Sequence, residues 1–157
     1  MKKVLIALDY DPSAQKVAEA GYSMAKAMNA GVVLLHVISD PVYYSSTEYS
    51  PIMGFNGYTN ILPSQMEDNI EAIKKASLQF LDKSRHHLGD KTIQTVVGEG
   101  DFAESILKVA KDMHIDIIVM GSHSRRWLDE ILMGSVTENV LHHSTIPLFI
   151  VPTKKHK

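Results

Sequence analysis

The sequence predicts an α/β fold with three layers, in which helices cover both faces of a five-stranded, mostly parallel sheet. Three observations predict it. Short apolar runs recur along the chain, segments with helical periodicity separate them, and Gly, Pro, Asn or Asp residues lie at many of their boundaries. Strands separated by helices need crossover connections, and crossovers place parallel strands side by side.

The first third of the chain contains two strands with the pattern of burial on both faces. Residues 4–8 and 32–38 are continuous apolar runs, and only His36 interrupts the second. Residues 13–28 lie between them and carry apolar or small side chains at helical spacing. Asn29 follows that helix as a residue type that tolerates a left-handed cap. These elements give a strand, a helix and a second strand.

Residues 39–63 interrupt this rhythm with a long insert rich in Tyr, Ser, Asn, Gly and Pro. A loop of this length is uncommon in a compact domain and usually has a function. The remaining elements follow from the same criteria: a helix at 64–87, a strand at 92–97, a helix at 101–113, a strand at 116–120, a helix at 135–143 and a strand at 147–151. Strand 92–97 alternates more than the others, so we expect it nearer a sheet edge. We expect one domain over residues 1–157.

The composition excludes several classes of function and partner. The 157 residues are the size of one domain, and a formal net charge of −2 gives no bulk attraction for nucleic acid or an anionic membrane. The chain has no cysteine, which excludes disulfides, thiolate metal sites and thiol nucleophiles. The apolar run at the N-terminus stops at Asp9, too short for a signal peptide or a membrane span, so we expect a cytoplasmic protein.

A candidate binding site lies where strand order would reverse, beyond the carboxyl ends of the strands. Asp9 closes the first strand and Gly121 closes the fourth. Gly134 and Ser135 then open a helix, whose first N–H groups and dipole favour an anion. Residues 135–138, Ser-Val-Thr-Glu, are also a capping box, which needs no ligand to explain it. Both interpretations remain open from the residues alone.

The segment after the fourth strand resembles the ATP-binding type of glycine motif in the universal stress protein family. That family has a Gly, two residues, a Gly, nine residues and then Gly-Ser or Gly-Thr, and here the same spacing runs from Gly121 to Gly134-Ser135. The Leu-Leu-His-Val at 34–37 and the strand 147–151 also resemble family segments. Position 124 departs from the motif, because Ser124 stands where the family has its second glycine. A serine there would cost about 1 kcal/mol if φ is positive, or would donate its hydroxyl to a phosphate.

The resemblance implies a Rossmann-like sheet of order 3-2-1-4-5 and a site for an adenine nucleotide: ATP, or AMP or ADP, with or without Mg²⁺. It implies a stress-response regulator and a homodimer formed through strand 147–151. No residue is an obvious base for phosphoryl transfer, so we expect slow or no ATP hydrolysis and no catalytic residues. Other regulatory proteins are expected as partners, and nucleic acid and membranes are not. The nucleotide-binding residues carried over are Ala7, Asp9, Val37, Met120, Gly121, His123, Ser124, Gly134, Ser135, Val136 and Thr137.

Other functions are less consistent with the sequence. A family member that binds no nucleotide and acts through protein contacts is the main alternative, and Ser124 and the 39–63 insert favour it. An AMP-transferring enzyme would need a second substrate-recognition motif, which we do not find. A G-x-G-x-x-A pattern at 98–103 follows the third strand instead of the first, which argues against a hydride-transfer enzyme. The histidine pairs at 86–87 and 142–143 lack the i, i+4 spacing that a metal site on a helix favours.

Overall fold

The computed structural model describes residues 1–9, 13–38, 66–122 and 135–153, with side chains throughout except those of 66–70 and 135. Over these residues strands and helices alternate, as the sequence predicts. In chain order the elements are β1 (Lys3–Ala7), α1 (Ala14–Ala27), β2 (Gly31–Ile38), α2 (Met66–Leu88), β3 (Gln94–Glu99), α3 (Phe102–Asp112), β4 (Ile117–Gly121), α4 (Ser135–His143) and β5 (Leu148–Val151). The predicted insert at 39–63 lies outside the described residues.

The five strands form one sheet of order β3-β2-β1-β4-β5, which confirms the order 3-2-1-4-5. All four neighbouring pairs are parallel. Ala7 pairs with Leu35 on one side of β1, and Ile6 pairs with Val119 on the other. Because every strand runs the same way, all five carboxyl ends lie along one edge of the sheet.

The core has two halves, one on each face of the sheet, and this explains the continuous apolar strands. Leu34 packs with Leu81 in the half under α1 and α2. Its neighbour Leu35 packs with Ile106 and Val140 in the half under α3 and α4. Successive side chains of a strand point to opposite faces, so a strand covered on both faces needs apolar residues at every position.

β3 is an edge strand, as its alternation predicts, but it begins and ends two residues later than expected. An Asx turn accounts for the start: the N–H of Thr92 donates to Oδ1 of Asp90 at 2.9 Å, which holds Thr92 in the turn before the strand. The end extends because Gly98 and Glu99 still pair with β2. A local turn therefore sets where β3 begins, and pairing with β2 sets where it ends.

Non-glycine residues in the left-handed conformation end two of the helices. Asn29 has φ of 54° after α1, which confirms the expected cap, and the N–H of Ala30 returns to the carbonyl of Ala25 at 2.9 Å. His114 has φ of 56° after α3, in the same arrangement. The two turns direct the chain into β2 and β4, the strands on either side of β1.

Candidate functional site

The reversal of strand order falls between β1 and β4. From β1 the chain moves outward to β2 and β3, then crosses back over the sheet to β4 and β5 on the other side. Crevices at such a reversal, beyond the carboxyl ends of the strands, are where open parallel sheets bind ligands. The candidate site is therefore formed by the residues that follow β1 and β4.

At the end of β1 the backbone of Leu8 is held twice by β2. Its N–H donates to the carbonyl of Leu35 at 2.8 Å, and its carbonyl lies 2.8 Å from Nδ1 of His36. Asp9 comes next, and its Oδ2 is buried although the residue as a whole is half-buried. A carboxylate therefore lies at the mouth of the β1–β4 crevice, on a backbone that side-chain and main-chain hydrogen bonds fix.

His36 is a buried polar side chain in this region that was not predicted as part of the site. It is 2% exposed, and its ring meets the ring of Phe80 edge-on, with centroids 5.8 Å apart. Burial lowers the pKa of His36 to about 4, so the ring is neutral near pH 7. A carbonyl oxygen can only accept, so Nδ1 carries the proton and donates it to Leu8. The signal in the sequence was a histidine inside an otherwise apolar strand.

At the end of β4 the first turn of α4 is joined to the strand. The hydroxyl of Thr137 donates to the carbonyl of Gly121 at 2.8 Å, and Thr137 is fully buried. The hydroxyl proton is used within the fold, so Thr137 fixes the helix against the strand and does not direct that proton at a ligand. The bond places the N-terminal end of α4, where the helix dipole favours an anion, beside the end of β4.

Ser122, just beyond β4, connects that strand to the end of the sheet. Its N–H donates to the carbonyl of Val151, and its Oγ accepts from the N–H of Thr153 at 3.0 Å. This contact was not predicted from the sequence. It fixes the backbone where the chain leaves β4 toward the glycine motif.

Four of the predicted site residues share one face of the sheet. Val37 and Met120 belong to the core half under α3 and α4, and Ala7 and Val136 pack against it. Asp9, Gly121 and Thr137 lie at the same edge, by the contacts above. His123, Ser124 and Gly134 lie outside the described residues, as does the side chain of Ser135, so their roles and the capping box stay predictions.

The pattern at 98–103 has a structural explanation. Gly100 has φ of 107°, a conformation that favours glycine. Asp101 caps α3, because its side chain accepts from the N–H of Glu104 at 3.0 Å. A turn and a cap account for these residues at the end of β3 without a dinucleotide.

Comparison with known proteins decides the family. A family model described as the universal stress protein family matches residues 1–152. The chain belongs to this family. Among its relatives, universal stress protein MJ0577 of Methanocaldococcus jannaschii is 31% identical over 157 residues, covering 98% of this chain and 96% of the relative. Universal stress protein YxiE of Bacillus subtilis is 28% identical over 151 residues, covering 95% of this chain and 97% of the relative.

Solved structures of universal stress proteins share the fold. The MJ0577 structure superposes with a TM-score of 0.76 at 27% identity and covers 99% of this chain and 98% of its own. Universal stress protein UspA from Lactobacillus plantarum superposes with a TM-score of 0.69 at 18% identity, covering 96% of this chain and 97% of its own. Within the part of the chain that the structure describes, no helix is long and apolar enough to cross a membrane.

Proposed function

We propose that this universal stress protein binds an adenine nucleotide, ATP in the first place and AMP or ADP as alternatives, and acts in the cytoplasm as a nucleotide-dependent regulator of the stress response. The observation that carries the proposal is that Asp9 and the N-terminal end of α4 both lie at the β1–β4 crevice. Asp9 follows β1, and the Thr137–Gly121 bond holds the N-terminal end of α4 beside β4. An acceptor and an anion-favouring helix end thus lie at one reversal of strand order.

The chemistry of the residues fits such a ligand. Ala7 and Val136 are apolar and partly buried on the face of the sheet where Val37 and Met120 are buried, and an apolar face of this kind suits a purine base. The Asp9 carboxylate accepts hydrogen bonds, which suits the amino group of adenine or a ribose hydroxyl. Phosphates would lie toward the start of α4.

The family relationship supports the same ligand class. One universal stress protein of this fold has been solved in complex with cAMP, an adenine nucleotide; it superposes with a TM-score of 0.64 at 20% identity, covering 98% of both chains. At that identity the comparison shows the shared fold, so the direct test of the ligand is made on this chain itself.

Thermal unfolding with and without nucleotide is that test. ATP, ADP or AMP at about 100-fold over the dissociation constant should stabilise the folded chain by roughly 2.7 kcal/mol, which raises the melting temperature by on the order of 5–10 °C at this size. The melts are run with and without Mg²⁺, and nucleotide released on denaturation is identified by chromatography.

A pair of variants localises the effect. Asp9→Asn should weaken ATP binding by about tenfold, because it replaces a charged acceptor by a neutral amide. Glu71→Gln removes an exposed carboxylate on α2 and should leave binding unchanged. No shift at millimolar ATP, together with no released nucleotide, would reject nucleotide binding and leave a family member that acts through protein contacts.

Self-association through β5 is the second part of the proposal. β5 is an edge strand, bracketed by Pro147 and Pro152, and Phe149 in its middle is 39% exposed. An exposed apolar edge strand is a surface for pairing with another strand. A twin β5 across a two-fold axis would cover it and give a homodimer.

Replacing Phe149 by arginine should therefore convert the dimer to a monomer, since a charge would be buried at the pairing surface. Light scattering at micromolar concentration gives the mass directly. Leu78→Arg is the matched control, because Leu78 is similarly exposed but lies on α2 and should leave the mass unchanged. A monomeric wild-type chain would contradict the dimer.

A further inference from the structure

His36 joins three elements at the edge of the candidate site. Its backbone is in β2, its Nδ1–H donates to the carbonyl of Leu8 just after β1, and its ring contacts Phe80 of α2. The partner is 28 residues away in sequence, so this is a tertiary contact. The ring is buried, and no local turn or helix cap explains it.

The carbonyl that His36 holds belongs to the peptide unit linking Leu8 to Asp9. A peptide unit is planar, so fixing the direction of its carbonyl also fixes the N–H of Asp9 and the start of that residue. The preceding peptide unit is held as well, through the bond from the N–H of Leu8 to Leu35. Two hydrogen bonds to β2 therefore determine how the chain leaves β1, and Asp9 is the first residue beyond them.

Burying a histidine at position 36 has a free-energy cost, and packing alone does not explain why a histidine is there. The neighbours of His36 in β2, Leu35 and Val37, are apolar and buried. Burying an imidazole costs free energy unless its polar atoms are hydrogen-bonded, whereas an apolar side chain at the same place carries no such cost. The imidazole adds a hydrogen-bond donor for the carbonyl of Leu8, next to the Asp9 carboxylate of the proposed site.

We propose that His36 is a positioning residue, which holds the Leu8–Asp9 peptide so that the Asp9 carboxylate faces the nucleotide. The inference rests on the proposed nucleotide function, and it adds a residue and a hydrogen bond that act on the ligand through Asp9. The alternative is a histidine that only stabilises the core. If His36 is a positioning residue, replacing it disturbs Asp9 more than the general loss of stability accounts for. If it only stabilises the core, Asp9 is disturbed no more than the rest of the fold.

Three variants separate these roles. His36→Phe keeps a buried aromatic ring but removes the donor. His36→Asn keeps a donor, because an asparagine amide nitrogen lies close to where Nδ1 of histidine lies. Phe80→Leu is the matched control, since it weakens the packing around the ring and leaves the His36–Leu8 bond in place.

The first readout needs no nucleotide. Hydrogen exchange at the amides of Leu8 and Asp9 is measured by NMR and compared with the free energy of global unfolding of each variant. His36→Phe should speed exchange at these two amides by about tenfold more than at the β4 amides, because the carbonyl of Leu8, which lies between them in the backbone, loses the hydrogen bond that holds it. His36→Asn should restore most of the protection, and Phe80→Leu should change all strands alike.

The second readout is the dissociation constant for ATP, measured by calorimetry well below the melting temperature of each variant. His36→Phe should raise it by about tenfold and His36→Asn by about threefold or less, with Phe80→Leu close to wild type. Unchanged exchange at Leu8 and Asp9 in His36→Phe would overturn the inference and leave a core histidine. A wild-type chain that binds no nucleotide would reject the proposed function, while the exchange data would still decide whether His36 positions Asp9.

Discussion

Replacing Gly21 by valine is expected to destabilise the protein by about 3 kcal/mol or more, a lowering of the melting temperature on the order of 10 °C. Gly21 lies in α1 where that helix crosses the centre of the sheet. A Cβ there would lie 2.8 Å from Cδ1 of Ile6 and 3.0 Å from Cγ1 of Val119. Both are fully buried and pair with each other across β1 and β4, so neither strand can move away without opening the core.

Denaturant unfolding of Gly21→Val measures this effect, and two variants calibrate it. Ser23→Val places the same β-branched residue on an exposed position of α1, so it reports the helix-propensity term alone, a few tenths of a kcal/mol. Gly21→Ala should fall between the two, because alanine gains about 1 kcal/mol of helix propensity and has only a methyl group to accommodate. A valine variant as stable as wild type would show that α1 does not pack this closely on β1 and β4.

Stability is expected to fall by about 3 kcal/mol between pH 6.5 and pH 4 because of His36 alone. Burial lowers the pKa of the folded His36 from 6.5 to about 4. In that window the unfolded chain binds a proton at His36 and the folded chain does not, so acid favours unfolding. The contribution is fully present above pH 6.5, where both states are neutral, and is lost as pH falls toward 4.

The difference between wild type and His36→Phe isolates this contribution from the carboxylates, which titrate in both proteins. From pH 7 to pH 5 the wild type should lose about 2 kcal/mol more than the variant, measured by urea unfolding at each pH. Parallel pH profiles for the two proteins would mean that His36 takes up its proton in the folded state at an ordinary pH, in conflict with its burial.

Most of the fold was predictable because its signals are local. A strand buried on both faces must be apolar at every position, as 32–38 is, and a helix on one face of the sheet must repeat its apolar residues at helical spacing. The left-handed residue at Asn29 was predictable for the same reason, since a cap depends on one residue and the turn before it. Boundaries were less certain, and β3 shows why: pairing with β2 sets where it ends.

Only some features of the candidate site could be predicted from the sequence. Asp9 and Gly121 could be placed at the carboxyl ends of their strands from sequence, because each directly follows an apolar run. The role of Thr137 could not be predicted from the sequence, because a hydroxyl in the first turn of a helix can bind a ligand, cap the helix or donate to the Gly121 carbonyl, which is the contact it makes. The contacts of His36 and Ser122 were not predicted, as both join segments that only the sheet brings together.

The sequence by itself therefore determined the α/β class, the alternation of strands and helices and the spacing that places this chain among the universal stress proteins. These follow from periodicity and motif, which depend on residues that are close together in the sequence. Only the tertiary structure decided that His36 holds the backbone before Asp9 and that Thr137 fixes α4 to β4. The physical reason is that a hydrogen bond between distant segments depends on sheet register, and register is settled by how the whole core packs.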